Sequence, residues 1–169
     1  SIFLDARTVK CADVISGYYP DWNRYEFPAD SIAFDDLTHI VHAFVWPAAS
    51  GELDSYSSID YPELIQATHR HGKKILISVG GWGNCDNFSG VLADTVRRAV
   101  LVQNLVSFCE ERGYDGVDLD WEYPESNADK KNLTEFVKQL YREFQFTDGD
   151  KIITMAVPAG AWAGSHYDY

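Results

Sequence analysis

Asp115-Gly116-Val117-Asp118-Leu119-Asp120-Trp121-Glu122 is the stretch on which both fold and chemistry turn. Its apolar alternation and Gly start read as a strand, and strand side chains alternate between faces. Asp118, Asp120 and Glu122 therefore share one face, and Val117, Leu119 and Trp121 share the other. The apolar face can pack under helices. The acidic face then points into the sheet's concave side, with successive carboxylates roughly 6–7 Å apart. A solvated acidic edge strand would not need so apolar a partner face. Three like charges in a partly dry channel cannot all ionise cheaply, so at least one proton is retained there with a raised pKa. A carboxylic acid that keeps its proton near neutral pH is what general-acid catalysis needs.

Four further apolar runs read as strands: Val14–Tyr19, Thr38–Trp46, Lys74–Val79 and Ile152–Val157. Helical spacing lies between them. Pro62 to His71 is a short helix stopped by Gly72. Ala99, Val102, Leu105, Val106 and Cys109 follow the i, i+3, i+4, i+7 pattern up to Gly113, and Leu133, Phe136, Val137, Leu140 and Phe144 repeat it. Ser31 to Asp36 reads as a short helix. Alternating strand and helix imply a parallel α/β sheet. The first strand is followed by Gly17-Tyr18-Tyr19-Pro20-Asp21-Trp22, too bulky for a dinucleotide loop. Acids, Ser and aromatics at strand ends favour a (β/α)8 TIM barrel instead. Such a barrel takes about 250 residues. The 169 residues here are therefore expected to supply about the first five β/α units, as the N-terminal portion of a single domain.

The formal charge of -12 argues against nucleic acid, whose phosphates demand clustered Lys and Arg. It is no obstacle to a neutral polymer. No apolar run is long enough to span a membrane, and the residues after Ser1 do not read as a secretion signal. Five Trp and ten Tyr suit a sugar cleft as well as a core. Of the three cysteines, Cys109 lies on a helical stripe and reads as a buried thiol; Cys11 and Cys85 can pair only if close. His39 and His42 differ in strand parity and would face opposite sides, so no shared metal is expected, nor any cofactor. His69 and His71 end a helix and complement its dipole.

With these residues in place, the acidic stretch and the Tyr123-Pro124 after it resemble the DxxDxDxE signature of family 18 glycoside hydrolases, the chitinases and their relatives. Ser78-Val79-Gly80-Gly81-Trp82 is similar to the family's SxGG motif on the third strand. Gly17-Tyr18-Tyr19 and Met155-Ala156-Val157-Pro158-Ala159 resemble its first and fifth strands. The resemblance implies Glu122 as acid and then base, with the substrate's own N-acetyl oxygen as nucleophile and retained configuration. It implies that Asp120 orients the acetamido group and that Asp118 shares a proton with Asp120. Asp115, of opposite parity, is read as structural. Ser78 and Tyr18 would hydrogen-bond the innermost Asp, Trp82 would stack a sugar on the leaving-group side, and Phe44 and Ala156 would line the pocket of the sugar being cleaved. The implied substrate-binding set is Tyr18, Phe44, Ser78, Gly80, Gly81, Trp82, Tyr123, Met155 and Ala156. Trp22, Trp46 and Trp162 are given no role.

The implied partner is chitin or an N-acetylglucosamine oligosaccharide, and the implied location is extracellular. An endo-β-N-acetylglucosaminidase acting on N-glycans can share the acidic motif; a lectin-like relative usually lacks the acid. The family's Met-x-Tyr-Asp motif on the sixth strand and its late Trp are not among these residues. Exposed sheet edges would favour self-association of two half-barrels.

Overall fold

The computed structural model describes residues 14–54, 59–147, 149–159 and 166–167. Five strands run in chain order: β1 (Ser16–Pro20), β2 (His39–Val45), β3 (Lys74–Gly80), β4 (Gly116–Asp120) and β5 (Ile152–Met155). Between them lie α1 (Pro62–Arg70), α2 (Phe88–Ala93), α3 (Thr95–Arg112) and α4 (Asn127–Thr147). All four strand pairings are parallel and the spatial order is β1-β2-β3-β4-β5. A doubly wound sheet reverses its strand order at a switch point. The unreversed order is that of consecutive barrel staves.

The long helices form where apolar periodicity and capping agree. The Asp94 carboxylate accepts from Val96 N–H and Arg97 N–H at 2.8 and 3.1 Å, meeting two donors that the first turn of α3 leaves orphaned. Gly113, at φ 83°, ends that helix in a left-handed conformation that costs a glycine little. The stripe Leu101, Val102, Leu105, Val106 and Cys109 is buried. In α4 the buried set is Leu133, Phe136, Leu140 and Phe144, with Asp129 as a buried polar anchor. Both stripes share one core with the outward faces of the strands, including Ile75, Ile77, Val79, Val117, Leu119 and Trp121.

Several details differ from the sequence expectation, and β5 ends at Met155 rather than at Val157. Ser31 to Asp36 is not one helix but parts of two 3-10 turns, Ala29–Ser31 and Phe34–Asp36, because Ile32 is extended (φ -71°, ψ 131°) between them. The first strand begins at Ser16, leaving Val14 and Ile15 exposed. Helix α2 was not anticipated: its six residues are too few for a period to declare itself. His69 does more than face its helix terminus. Its Nε2 lies 2.9 Å from Asp115 Oδ2, while Lys74 Nζ and Ile75 N–H donate to the same carboxylate at 2.8 and 2.9 Å. Asp115 thus joins α1, β3 and the start of β4, well away from the acidic row. Cys11 and Trp162 lie outside the described residues.

Candidate active site

Strand parity places the acids where the sequence puts them. Asp118 and Asp120 are buried on the inner face of β4, while Leu119 and Trp121 pack outward in the core. Trp121 stacks on Phe88 at 5.3 Å between ring centroids. Glu122 follows one residue beyond that tryptophan, half-buried at the strand's C-terminal mouth.

Asp118 is the most heavily bonded of the three. Tyr18 Oη and Ser78 Oγ both donate to its Oδ2 at 2.8 Å, and Thr154 Oγ1 donates to Oδ1 at 2.6 Å. β1, β3 and β5 therefore each contribute one hydroxyl to a single carboxylate on β4. The Tyr18 phenol is held well above its ordinary pKa, chiefly by burial and then by the charge of Asp118, so it remains a donor. Ser78 and Asp118 stand opposite each other in the β3–β4 register, as do Asp118 and Thr154 in β4–β5. Thr154 escaped the sequence reading, although it lies two residues before Ala156 on the same strand face.

Asp120 is placed differently. Burial first, then the charges of Glu122 and Asp118, then a hydrogen bond with the Glu122 carboxyl, push its pKa up to about 6. The sequence expectation had Asp120 sharing its proton with Asp118. In the structure the hydrogen bond that helps to raise its pKa is to Glu122, and Asp118 acts on it through its charge. Tyr123 also hydrogen-bonds Glu122, and this raises the phenol's pKa.

Asp120 and Glu122 face an open cleft of about 520 Å³ walled by Tyr18, Trp22, Phe44 and Ala156. Phe44 lies 6.4 Å from Tyr18 and 6.2 Å from Trp22, ring centroid to ring centroid. Trp22 was given no role from sequence, yet it is 66% exposed on this wall. Trp82 is 77% exposed and meets Tyr123 edge-to-face at 6.4 Å on the far side of Glu122. Such flat apolar faces are what a pyranose ring stacks on.

The remaining members of the expected substrate-binding set sit elsewhere. Ser78 is fully buried beneath Asp118 and serves that carboxylate. Gly80 and Gly81 clear space: a Cβ at Gly80 (φ 116°) would strike the Asp120 carbonyl, and one at Gly81 (φ 94°) would lie 2.9 Å from the Phe44 ring. Trp46 Nε1 donates to Gly80 O at 2.8 Å and fixes that strand end. Met155 is a correction. Its parity is opposite to Thr154 and Ala156, and it packs beside Leu133, Val137 and Tyr167 under α4, away from the acids. His42 is buried between Tyr114 and Asp21, whereas His39 bonds Thr38. Among the described residues no three His, Cys, Asp or Glu side chains are grouped to hold a metal ion.

An inward row of three carboxyls, one anchored by hydroxyls and two sharing a hydrogen bond beside an aromatic cleft, can deliver a proton and stabilise a cation formed next to it. Comparisons with known proteins place the chain in a family. Residues 14–169 match the family described as Glycosyl hydrolases family 18. A chitinase-like effector of Moniliophthora perniciosa is 29% identical over 143 residues, which are 77% of this chain and 33% of that protein. The crystal structure of a chitinase from Rhizomucor miehei superposes with a TM-score of 0.75 at 34% identity, covering 86% of this chain and 47% of that one. A GH18 chitinase from Cycas revoluta, crystallised with (GlcNAc)3, gives a TM-score of 0.80 at 28% identity, covering 92% and 50%. The chain thus spans half or less of the length of each.

Proposed function

The chain belongs to glycosyl hydrolase family 18, and from that premise we propose that residues 1–169 are the N-terminal portion of one chitinase catalytic domain, cutting β-1,4 bonds between N-acetylglucosamine units. The observation that carries the reading is the single row Asp118–Asp120–Glu122 at the cleft end of β4, with Asp118 held by three hydroxyls and Asp120 raised in pKa by burial and by both neighbouring acids. Glu122 protonates the glycosidic oxygen as the C–O bond breaks. The oxygen of the substrate's own acetamido group closes on the anomeric carbon from the other face, giving an oxazolinium ion. Asp120 holds the acetamido N–H and offsets the charge that develops there. Glu122 then takes a proton from water, which opens the ring with overall retention. Asp118, tied by three hydroxyls, acts on Asp120 through its charge and helps to hold that pKa up. Trp22 and Phe44 on one side and Trp82 with Tyr123 on the other supply stacking surfaces for successive sugars. The setting of such a polymer-degrading enzyme is extracellular.

A second reading, sugar binding without turnover, has one observation in its favour: two relatives, from Moniliophthora perniciosa and Moniliophthora roreri, are described as chitinase-like effectors. The retained Glu122 carboxyl weighs against it. The test is hydrolysis of N-acetylglucosamine oligomers, followed by proton NMR. Turnover that gives the β-anomer first and is lost, by roughly a thousandfold, in Glu122→Gln is the expected result. Equal turnover in both proteins would reject the role of Glu122. Binding without turnover in either would favour the second reading, and cleavage of N-glycans in preference to chitin oligomers would shift the substrate to a glycoprotein. We further propose that the edge strands β1 and β5 are covered in the working protein, by further barrel strands or by a second copy.

A further inference from the structure

The last rung between β3 and β4 is broken where the acid sits. Gly81 N–H donates to Asp120 O at 2.8 Å. In a parallel ladder the next bond would run from Glu122 N–H to Gly81 O. That carbonyl is instead taken up by a turn, accepting from Asn84 N–H at 3.1 Å. Glu122 N–H turns to the Cys85 sulfur, 3.3 Å away. The same thiol reaches back to Gly81 O at 3.4 Å and Asp120 O at 3.5 Å. One side chain therefore fills the gap in the ladder, accepting from the backbone of the acid and sharing its single S–H between the two carbonyls beside it.

We infer that Cys85 is a positioning residue for the catalytic acid: its sulfur is inserted into the final β3–β4 rung and sets how far the Glu122 backbone stands off the sheet. Sulfur suits the place because it is large and both donates and accepts weakly, so it spans a gap too wide for a direct peptide hydrogen bond. Burial raises the thiol's pKa, which keeps its hydrogen on at neutral pH. The hydrogen-bond partners of the Cys85 sulfur are all backbone atoms. Its effect passes through the Glu122 main chain to the Asp120–Glu122 carboxyl pair. Removing the sulfur leaves Glu122 N–H either unpaired or drawn toward Gly81, and in both cases the carboxyl pair is pulled out of register.

The meaning for catalysis rests on the proposed role of Glu122, but the test reads the backbone and the carboxyls directly and needs no turnover. Amide hydrogen exchange at Glu122 is measured in the unaltered chain, and the Asp120 carboxyl is titrated by carbon NMR in the unaltered chain, Cys85→Ser, Cys85→Ala and Cys109→Ala. Cys109 is a buried thiol on α3 at the other end of β4, donating to Gly116 O at 3.6 Å. It reports general loosening. The expected result is a Glu122 amide protected at least about tenfold. The Asp120 midpoint falls by about half a pH unit or more in Cys85→Ala, falls less in Cys85→Ser, whose shorter hydroxyl spans the gap only in part, and stays near the unaltered value in Cys109→Ala. An unprotected Glu122 amide overturns the inference even if no variant folds. So does a midpoint that Cys85→Ala leaves in place or that Cys109→Ala moves equally.

Discussion

Asp118 collects hydroxyls from three different strands, β1, β3 and β5. A buried carboxylate oxygen that loses a donor keeps its desolvation cost. Thr154→Val should therefore destabilise the fold by about 1.5–3 kcal/mol, read from urea unfolding midpoints at unchanged slope. Asp120 makes the opposite kind of statement. Its folded pKa of about 6 lies above the usual unfolded value near 3.9. The folded state thus binds this proton more tightly than the unfolded one. The stabilisation is complete below about pH 4 and is lost as pH rises through 6. Asp21, Asp115 and Asp129, whose pKa values are lowered, act in the reverse sense, stabilising above about pH 4 and failing below it. The difference in unfolding free energy between the unaltered chain and Asp120→Asn should therefore move against the former between pH 4 and 7 and be flat above. Period-two alternation made the acidic row legible in sequence. The Thr154 hydroxyl on Asp118 was not, because that threonine lies thirty-six residues away in the chain.

At the scale of elements, the site is held by what lies behind β4. Trp121 faces away from the cleft and stacks on Phe88 of α2, whose next residue, Ser89, donates to Asp129 of α4 at 2.6 Å. Phe88 is fully buried, so Phe88→Ala should cost about 3–5 kcal/mol and release the strand end that carries Glu122. Thermal unfolding checks the cost, and increased amide exchange at Trp121 and Glu122 checks the release. Helices α3 and α4 were legible because eighteen and twenty-one residues allow a period to repeat. Helix α2 was not, and neither were the cis peptide bonds at Ala43–Phe44 and Glu122–Tyr123, since no residue type at those positions announces them. Met155 misled for a related reason. A motif likeness covers a run of residues, but only alternate members of a strand face the same side.

For the whole molecule, alternation of strand and helix was enough to predict a parallel sheet, acids and aromatics at the strand ends favoured barrel order over a doubly wound one, and family membership supplies the barrel. Within the described residues β1 and β5 are the sheet edges. If a second copy covers them, size-exclusion chromatography of the 169-residue chain will show a dimer; a monomer at all concentrations removes that possibility and leaves further barrel strands as the cover. The site's central feature does not wait on that answer, since every residue of the acidic row and its hydroxyl anchors lies on described strands or directly beyond them. The most direct measurement is the carbon NMR titration of the Asp120 carboxyl with and without Glu122→Gln. The account predicts a midpoint near 6 in the unaltered chain and a clear fall in the variant, which lacks the charge and loses the carboxyl-to-carboxyl bond. The midpoint stays above the ordinary carboxylate value there because burial remains. An Asp120 that titrates as an ordinary surface aspartate, or one indifferent to Glu122→Gln, would contradict it.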